Sequence, residues 1–585
     1  MENGFALRVT VKVIFKLSFK FSLANYKFTK SKLKIMLSLK INGLPVDVSP
    51  DFSVTMNLKS PIFCEPGSYS YPFKIPGSQR NKVYFNFSHK VPSTSSPYKE
   101  YEGELTWNQI TFFSGTVKLK ILNENFYEGY LLNGNGDFNY RRKNSYLQDI
   151  DFGTLTFESE LQRIDYINGC LGKFYPERNI VFPQILNKSY FEEEPTDPWH
   201  LYFNYYKTSI IAYATESYGR TVIVPMLYLK YVLKTLFEGL HYQLIDDFFS
   251  KDSDFNSLVL FNSVDCNTDI DGFFKYDPTK LFLNYHVPRM SINDFLSGLE
   301  SFFNLRIFVN NNTRSIQLKS VDKIIKSSET TNFSDRIISV STELEDPVTG
   351  FRIKMDVKTD DEVYQVRVEE QNTLIEHIKP SVKSLTDLNP WPSSNIFDTR
   401  WVEEKENYYI LSSGKTWIPI SGMYWGWNLF SEWIYKNSNV DLQTRFSTLM
   451  SENVHPYNAI IGNKREDWED VSPKLFFARL QDDGSLGKRM SGRCFVADQY
   501  ANVSNNLFYG GENGLLNKHY KTYFDFSIST KLIKVTKRMS FVELKDFDFS
   551  KKYFINGVTY LVKSIQVTLR RDRIEPAILE CYKIS

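Results

Sequence analysis

Three short patterns in this 585-residue chain bring together residue types that could hold a ligand. Gly414-Lys415-Thr416 ends like a phosphate-binding loop, in which glycine backbone N–H groups surround a phosphate that the lysine neutralises. Tyr409 stands where the first loop glycine is required, so nucleotide binding is not expected. Asn267, Asp269, Asp271 and Gly272 repeat the first half of an EF-hand loop, with alternate oxygen ligands and a glycine at the sharp turn. Pro278 occupies the place of the bidentate carboxylate that would close the calcium shell. A polar turn is therefore expected, with a calcium site near Asn267, Asp269 and Asp271 left open. Trp425, Trp427 and Trp433 could stack on sugar rings, or serve as core or subunit-interface anchors.

Other chemistry lacks its signature. The seven histidines are far apart and form no HExxH or paired-ligand spacing, and no GxSxG elbow exists. His519 falls on the apolar stripe of a helix, where a packed histidine is the expectation. The five cysteines are scattered with no CxxC, which argues against a zinc finger and against a disulfide framework. Paired carboxylates for glycoside cleavage would meet only in the fold and stay open. No catalytic residue, cofactor or metal is assigned.

Composition sets the elements that must carry these residues. Ninety-two aromatic side chains, 16% of the chain, favour strands and large packed surfaces. The net charge of +2 gives no general reason to expect nucleic-acid binding. No window is long and apolar enough for an integral membrane span, so a soluble protein made in the cytoplasm is expected.

The basic character sits at the start. Residues 1–35 carry eight basic side chains against Glu2 alone. From Val9 to Leu23 every odd position is apolar, while the even ones are mostly Lys, Ser or Thr, which is a strand pattern. The same lysines at i, i+4 spacing would also line a membrane-surface helix. Met36 opens a clean strand followed by an Asn42-Gly43 hairpin turn, so translation starting at Met36 is a further expectation, with residues 1–35 an extension lacking a docking partner.

Pattern and punctuation divide the chain into five segments: the basic extension 1–35, an N-terminal β domain 36–200, an α+β domain 201–330 with two helices, a β-rich and Trp-rich domain 331–440, and a C-terminal α+β region 441–585. The first helix is expected to carry Pro225 in its first turn and Leu229, Val232, Leu233, Leu236 and Phe237 on its stripe. The second is expected to open on a Ser291/Asp294 capping box, to bury Phe295, Leu299 and Phe302, and to run into a strand, the Asn310–Thr313 turn and another strand. A third is expected over 514–526, and the C-terminus reads as an antiparallel meander turning at Asn556-Gly557. The fold class is mainly β with α+β insertions, in several domains.

Four stretches carry a resemblance: Ser70–Pro76 with Asn81; Val224-Pro225 and its helix running to Phe249; His286–Ser291 leading to Leu305; and Gly511–Leu515 followed by Ile555–Val562, with Ile574–Ala577 fitting as well. Together they resemble the tail hub or baseplate proteins of tailed phages and of prophages of anaerobic gut bacteria, over most of residues 36–585. None of these stretches is a catalytic motif. The resemblance implies β-barrel or sandwich domains and a non-enzymatic virion protein at the tail tip, made in the host cytoplasm. It implies a trimer or other ring, with tube, distal tail, tape-measure, spike or fibre proteins as partners. A glycan-binding adhesin using Trp425, Trp427 and Trp433, and a tail-associated cell-wall hydrolase, are the competing readings.

Overall fold

The computed structural model describes residues 37–63, 67–90, 100–186, 202–211, 222–267, 276–343, 348–355, 473–482, 487–497 and 513–584, with shorter stretches at 346, between 381 and 460, and at 484, 503–507 and 509. The chain is mainly β with α+β insertions, and its sheets curl into half-barrels.

The largest sheet has 14 strands and joins the two ends of the described chain. On its N-terminal side Leu37–Ile41, Tyr101–Trp107, Ile110–Leu122 and Phe126–Asn133 lie side by side. On its C-terminal side come Val558–Arg570, Ala577–Lys583, Leu532–Lys537 and Ile337–Thr342. The halves meet where Ser53–Lys59 pairs antiparallel with Val558–Arg570, from Ser53 opposite Arg570 to Lys59 opposite Ser564. Alternation makes this seam one-sided: Val54, Met56 and Leu58 face inward against Ile565, Val567 and Leu569, all of them buried. Burying six such side chains contributes on the order of 10 kcal/mol before ordering costs.

Turn chemistry sets the hairpins. Asn42 and Gly43 have φ of 47° and 77°, and Asn556 and Gly557 have 47° and 89°, so each pair supplies the two left-handed residues of a type I′ turn. The strand expected after the first turn is cut to Leu44–Pro45, because Pro45 has no N–H to continue the ladder. The Asn133–Gly136 turn opens directly into a short helix, Asn135–Arg141.

The described strand pairs cross the sequence divisions at 200, 330 and 440. Ile185–Leu186 pairs with Tyr202–Phe203, Thr330–Asn332 pairs with Lys552–Ile555, and Gly350–Met355 pairs with both Glu432–Lys436 and Val440–Thr444.

The α+β unit departs from its expected outline at one helix start. Pro225 precedes a buried strand, Met226–Tyr228, and the helix runs from Leu229 to Gly239. Strand wins there because Met226, Leu227 and Tyr228 are all buried between Ile180–Val181 and Leu258–Leu260. The second helix spans Ile292–Phe303. Ser291 Oγ accepts the Asp294 N–H at 3.0 Å, while the Asp294 carboxylate pairs with Arg445 instead of closing the box. Asn304 ends the helix at φ 48°, and Leu305–Asn310 and Ser315–Ser320 follow as a hairpin. Gln243–Asp247, which the sequence pattern did not reveal as a strand, lies parallel to Ser315–Ser320.

The third helix begins as a π turn, Leu516–Tyr520, and continues as Lys521–Ser529. The wider turn lets both His519 and Tyr520 face inward beside Leu515 and Leu516. Among the described residues no helix is long and apolar enough to cross a membrane.

Phe295 is fully buried and packs edge-to-face on Phe446, whose ring lies where a Cβ on Gly298 would fall. Phe295→Ala is therefore expected to cost about 3–5 kcal/mol through the cavity it leaves, read as a fall in the denaturant midpoint at unchanged slope.

Candidate functional site

Polar side chains distant in sequence meet at two places. The first lies inside the α+β unit. Asn204 Nδ2 donates to the Pro183 and Val224 carbonyls, each at 2.9 Å, and its Oδ1 accepts the Val224 N–H at 2.8 Å. Asn262 Nδ2 donates to the Pro225 carbonyl at 3.0 Å and lies 2.9 Å from His286 Nδ1. From the helix Glu160–Asn168, fully buried Arg163 donates through Nη2 to the Cys266 carbonyl and Sγ, each at 3.0 Å, and to Asn267 Oδ1 at 2.6 Å.

The cluster holds a cysteine and a histidine, but their environments oppose nucleophilic chemistry. Burial pushes the Cys266 thiol up to about 12. Burial, and then the Arg163 charge, push the His286 imidazole down to about 3. A cysteine nucleophile needs a thiolate and a base that holds its proton. Here the thiol keeps its proton and the imidazole declines one, so the groups serve as fixed hydrogen-bonding parts.

Asn267 is the one residue of the half EF-hand that is described, and its oxygen accepts from the Arg163 guanidinium, a cation already in place. Asp269 and Asp271 lie outside the described residues, as do Trp425, Trp427 and Gly414–Thr416. Trp433 falls in the strand Glu432–Lys436, opposite Ile353. Among the described residues no group of three or more His, Cys, Asp or Glu is placed to hold a metal ion. The four described cysteines, Cys170, Cys266, Cys494 and Cys581, are buried and form no disulfide with one another.

The second place is the joint between the large sheet and the α+β unit. The Asn310–Thr313 turn reaches across to the strand Ile110–Leu122 and the helix Asn135–Arg141. Asn311 Nδ2 donates to the Ser114 carbonyl at 3.1 Å and to Asp137 Oδ2 at 2.9 Å, while its Oδ1 accepts from the Tyr242 hydroxyl at 3.1 Å. Asn312 Oδ1 accepts from Ser114 Oγ at 2.7 Å, and its Nδ2 donates to the Phe112 carbonyl at 3.3 Å. From the opposite side Asn135 Nδ2 donates to the Ile307 carbonyl at 2.5 Å, and its Oδ1 accepts the Val309 N–H at 3.2 Å. Three asparagines thus satisfy backbone groups at the ends of two sheets, beside a cleft of about 540 Å³. Such an arrangement ties the large sheet to the α+β unit.

No family model matches the chain, and no curated protein matches it. Two solved structures similar to it are tail proteins. The 43 kDa tail protein of prophage MuSo2 from Shewanella oneidensis aligns with 94% of this chain and 98% of its own, at 8% identity and a TM-score of 0.32. The tail protein from Neisseria meningitidis MC58 aligns with 94% of this chain and 96% of its own, at 7% identity and a TM-score of 0.29. Scores this low lend no weight to an assignment of fold or role.

His519 sits where its helix stripe predicts, with Phe248 and Phe303 edge-on at 5.6 and 5.9 Å. Burial, then Lys518 and Lys323, push it down to about 3. Unfolded histidine titrates near 6.5, so between about 6.5 and about 3 the unfolded chain binds more protons. The stability contributed by neutral His286 and His519 is complete above about pH 6.5 and is lost as pH falls toward about 3. The urea midpoint is expected to drop between pH 7 and pH 5, and His519→Leu is expected to flatten that drop.

At the joint, Asn311→Ala removes one donor from Asp137 Oδ2 and one from the Ser114 carbonyl, while Arg141 Nε still donates to Asp137 Oδ1 at 3.0 Å. It is expected to cost about 1–3 kcal/mol in urea unfolding and to speed proteolysis near 133–135.

Proposed function

We propose that this chain is a non-enzymatic structural subunit of a phage tail tip, of the hub or baseplate kind, joining the tail tube to receptor-binding or cell-puncturing parts. It acts there as a trimer or other ring.

One observation carries the reading: the residues behind the sequence resemblance are those on which the architecture turns. Asn81, fully buried, donates to the Asp47 and Pro76 carbonyls at 2.9 Å each and accepts the Asp47 N–H at 3.0 Å, fixing the end of the Ser70–Pro76 stretch. Pro225 and His286 meet through Asn262. Asn304 closes its helix and donates to the His519 carbonyl at 2.7 Å. Asn556-Gly557 turns the hairpin that carries the seam between the two ends of the chain. A match concentrated on joints rather than on a reactive centre supports kinship in architecture. Architecture is what a ring subunit contributes.

Light scattering coupled to gel filtration tests the ring. A discrete trimer or hexamer, from both the full chain and a variant beginning at Met36, is the expected outcome. A monomer from both that stays monomeric with added tail proteins would remove the ring from the proposal.

A further inference from the structure

The large sheet ends at the strand Ile337–Thr342, which among the described residues has a neighbour on one side only, Leu532–Lys537. Its sequence, Ile-Ile-Ser-Val-Ser-Thr, contains no proline and no lysine, the residues that usually blunt a sheet edge. Ile338 and Val340 are 52% and 48% exposed. Residues directly opposite one another share a face, so Val340, opposite fully buried Val535, continues the core layer to its rim. On the other face Ser341 lies opposite Lys534, which pairs with Glu343 at 2.7 Å and approaches Glu580 at 3.8 Å. The edge is thus apolar on one face and carries carboxylates on the other.

We propose that residues 9–23 of the same chain add to this edge as an antiparallel strand. These residues lie outside the described ones, and their pattern is complementary to both faces. Val9, Val11, Val13, Phe15, Leu17 and Phe19 alternate with Thr10, Lys12, Lys16, Ser18 and Lys20. The apolar row covers Val340 and the rim of the core, while the lysine row meets Glu343. The new outer edge then bears lysines, which discourage a further strand.

Connection and direction agree. The described chain begins at Leu37, which pairs with Trp107. Trp107 stacks on Phe541 at 6.3 Å, and Glu543, in the same short helix, holds Arg336 at 2.6 Å, one residue before the edge strand. Buried Lys537 binds Glu543 at 3.3 Å and Asp335 at 2.7 Å, which fixes that corner. Residues 24–36, extended, span up to about 45 Å, ample for this path. A strand whose C-terminal end arrives at the Ile337 end runs antiparallel to Ile337–Thr342. The proposal replaces the sequence-based expectation that residues 1–35 have no docking partner, and it does not depend on a tail role.

Hydrogen exchange read by mass spectrometry on peptides covering 337–342 tests it. In the full chain these amides are expected to exchange about tenfold more slowly than in a variant beginning at Met36. The doubly substituted full chain Val13→Pro, Leu17→Pro is expected to lose the same protection while Leu532–Lys537 stays protected, which shows that the fold survives. Equal exchange in the full chain and the Met36 variant would overturn the proposal. Protection that rises with protein concentration, together with a larger mass by light scattering, would also overturn it in favour of a strand from a second copy.

Discussion

Everything described here hangs on one strand pairing, Ser53–Lys59 against Val558–Arg570. Thr55 and Thr568 hydroxyls meet at 2.9 Å although 513 residues separate them in sequence. Because side chains alternate with a period of two, a slip of one residue would turn Val54, Met56 and Leu58 out of the core together. The register of the seam is therefore strongly specified, and it joins the N-terminal strands to the C-terminal meander in one sheet.

Polar groups follow the same economy of position. Buried amides and imidazoles are costly unless each finds a partner, and asparagine offers both a donor and an acceptor in a short, stiff side chain. The chain uses it repeatedly where one backbone segment must be tied to another: Asn81, Asn135, Asn204, Asn262, Asn304, Asn311. The protein spends its buried hydrogen bonding on geometry, and burial holds Cys266, His286 and His519 neutral while Arg163 and Lys537 stay charged beside their acceptors.

What could be read from sequence was local. The two Asn-Gly turns are legible because few other residues tolerate left-handed backbone twice in succession. The stripe of Ile292–Phe303 is legible because apolar spacing of three and four has one interpretation at that length. Met226–Tyr228 departs from its expected helix because three apolar residues after a proline suit a helix start as well as a buried strand, and only the flanking strands decide. The joint was hidden altogether. Asn311 reads as a turn residue, and its partners Ser114 and Asp137 lie 197 and 174 positions away, beyond any periodicity. The tryptophans singled out as candidate binding residues owe their prominence to composition, which carries no geometry.

The seam also dictates when the protein can fold. Ser53–Lys59 leaves the ribosome about 500 residues before its partner exists, an interval on the order of 25–100 s at ordinary translation rates of about 5–20 residues per second. Throughout that time Val54, Met56 and Leu58 have an open edge and no opposing layer. The sheet thus closes only once Val558–Arg570 has been made, and until then the nascent N-terminal half presents apolar strands that need shielding in the cell.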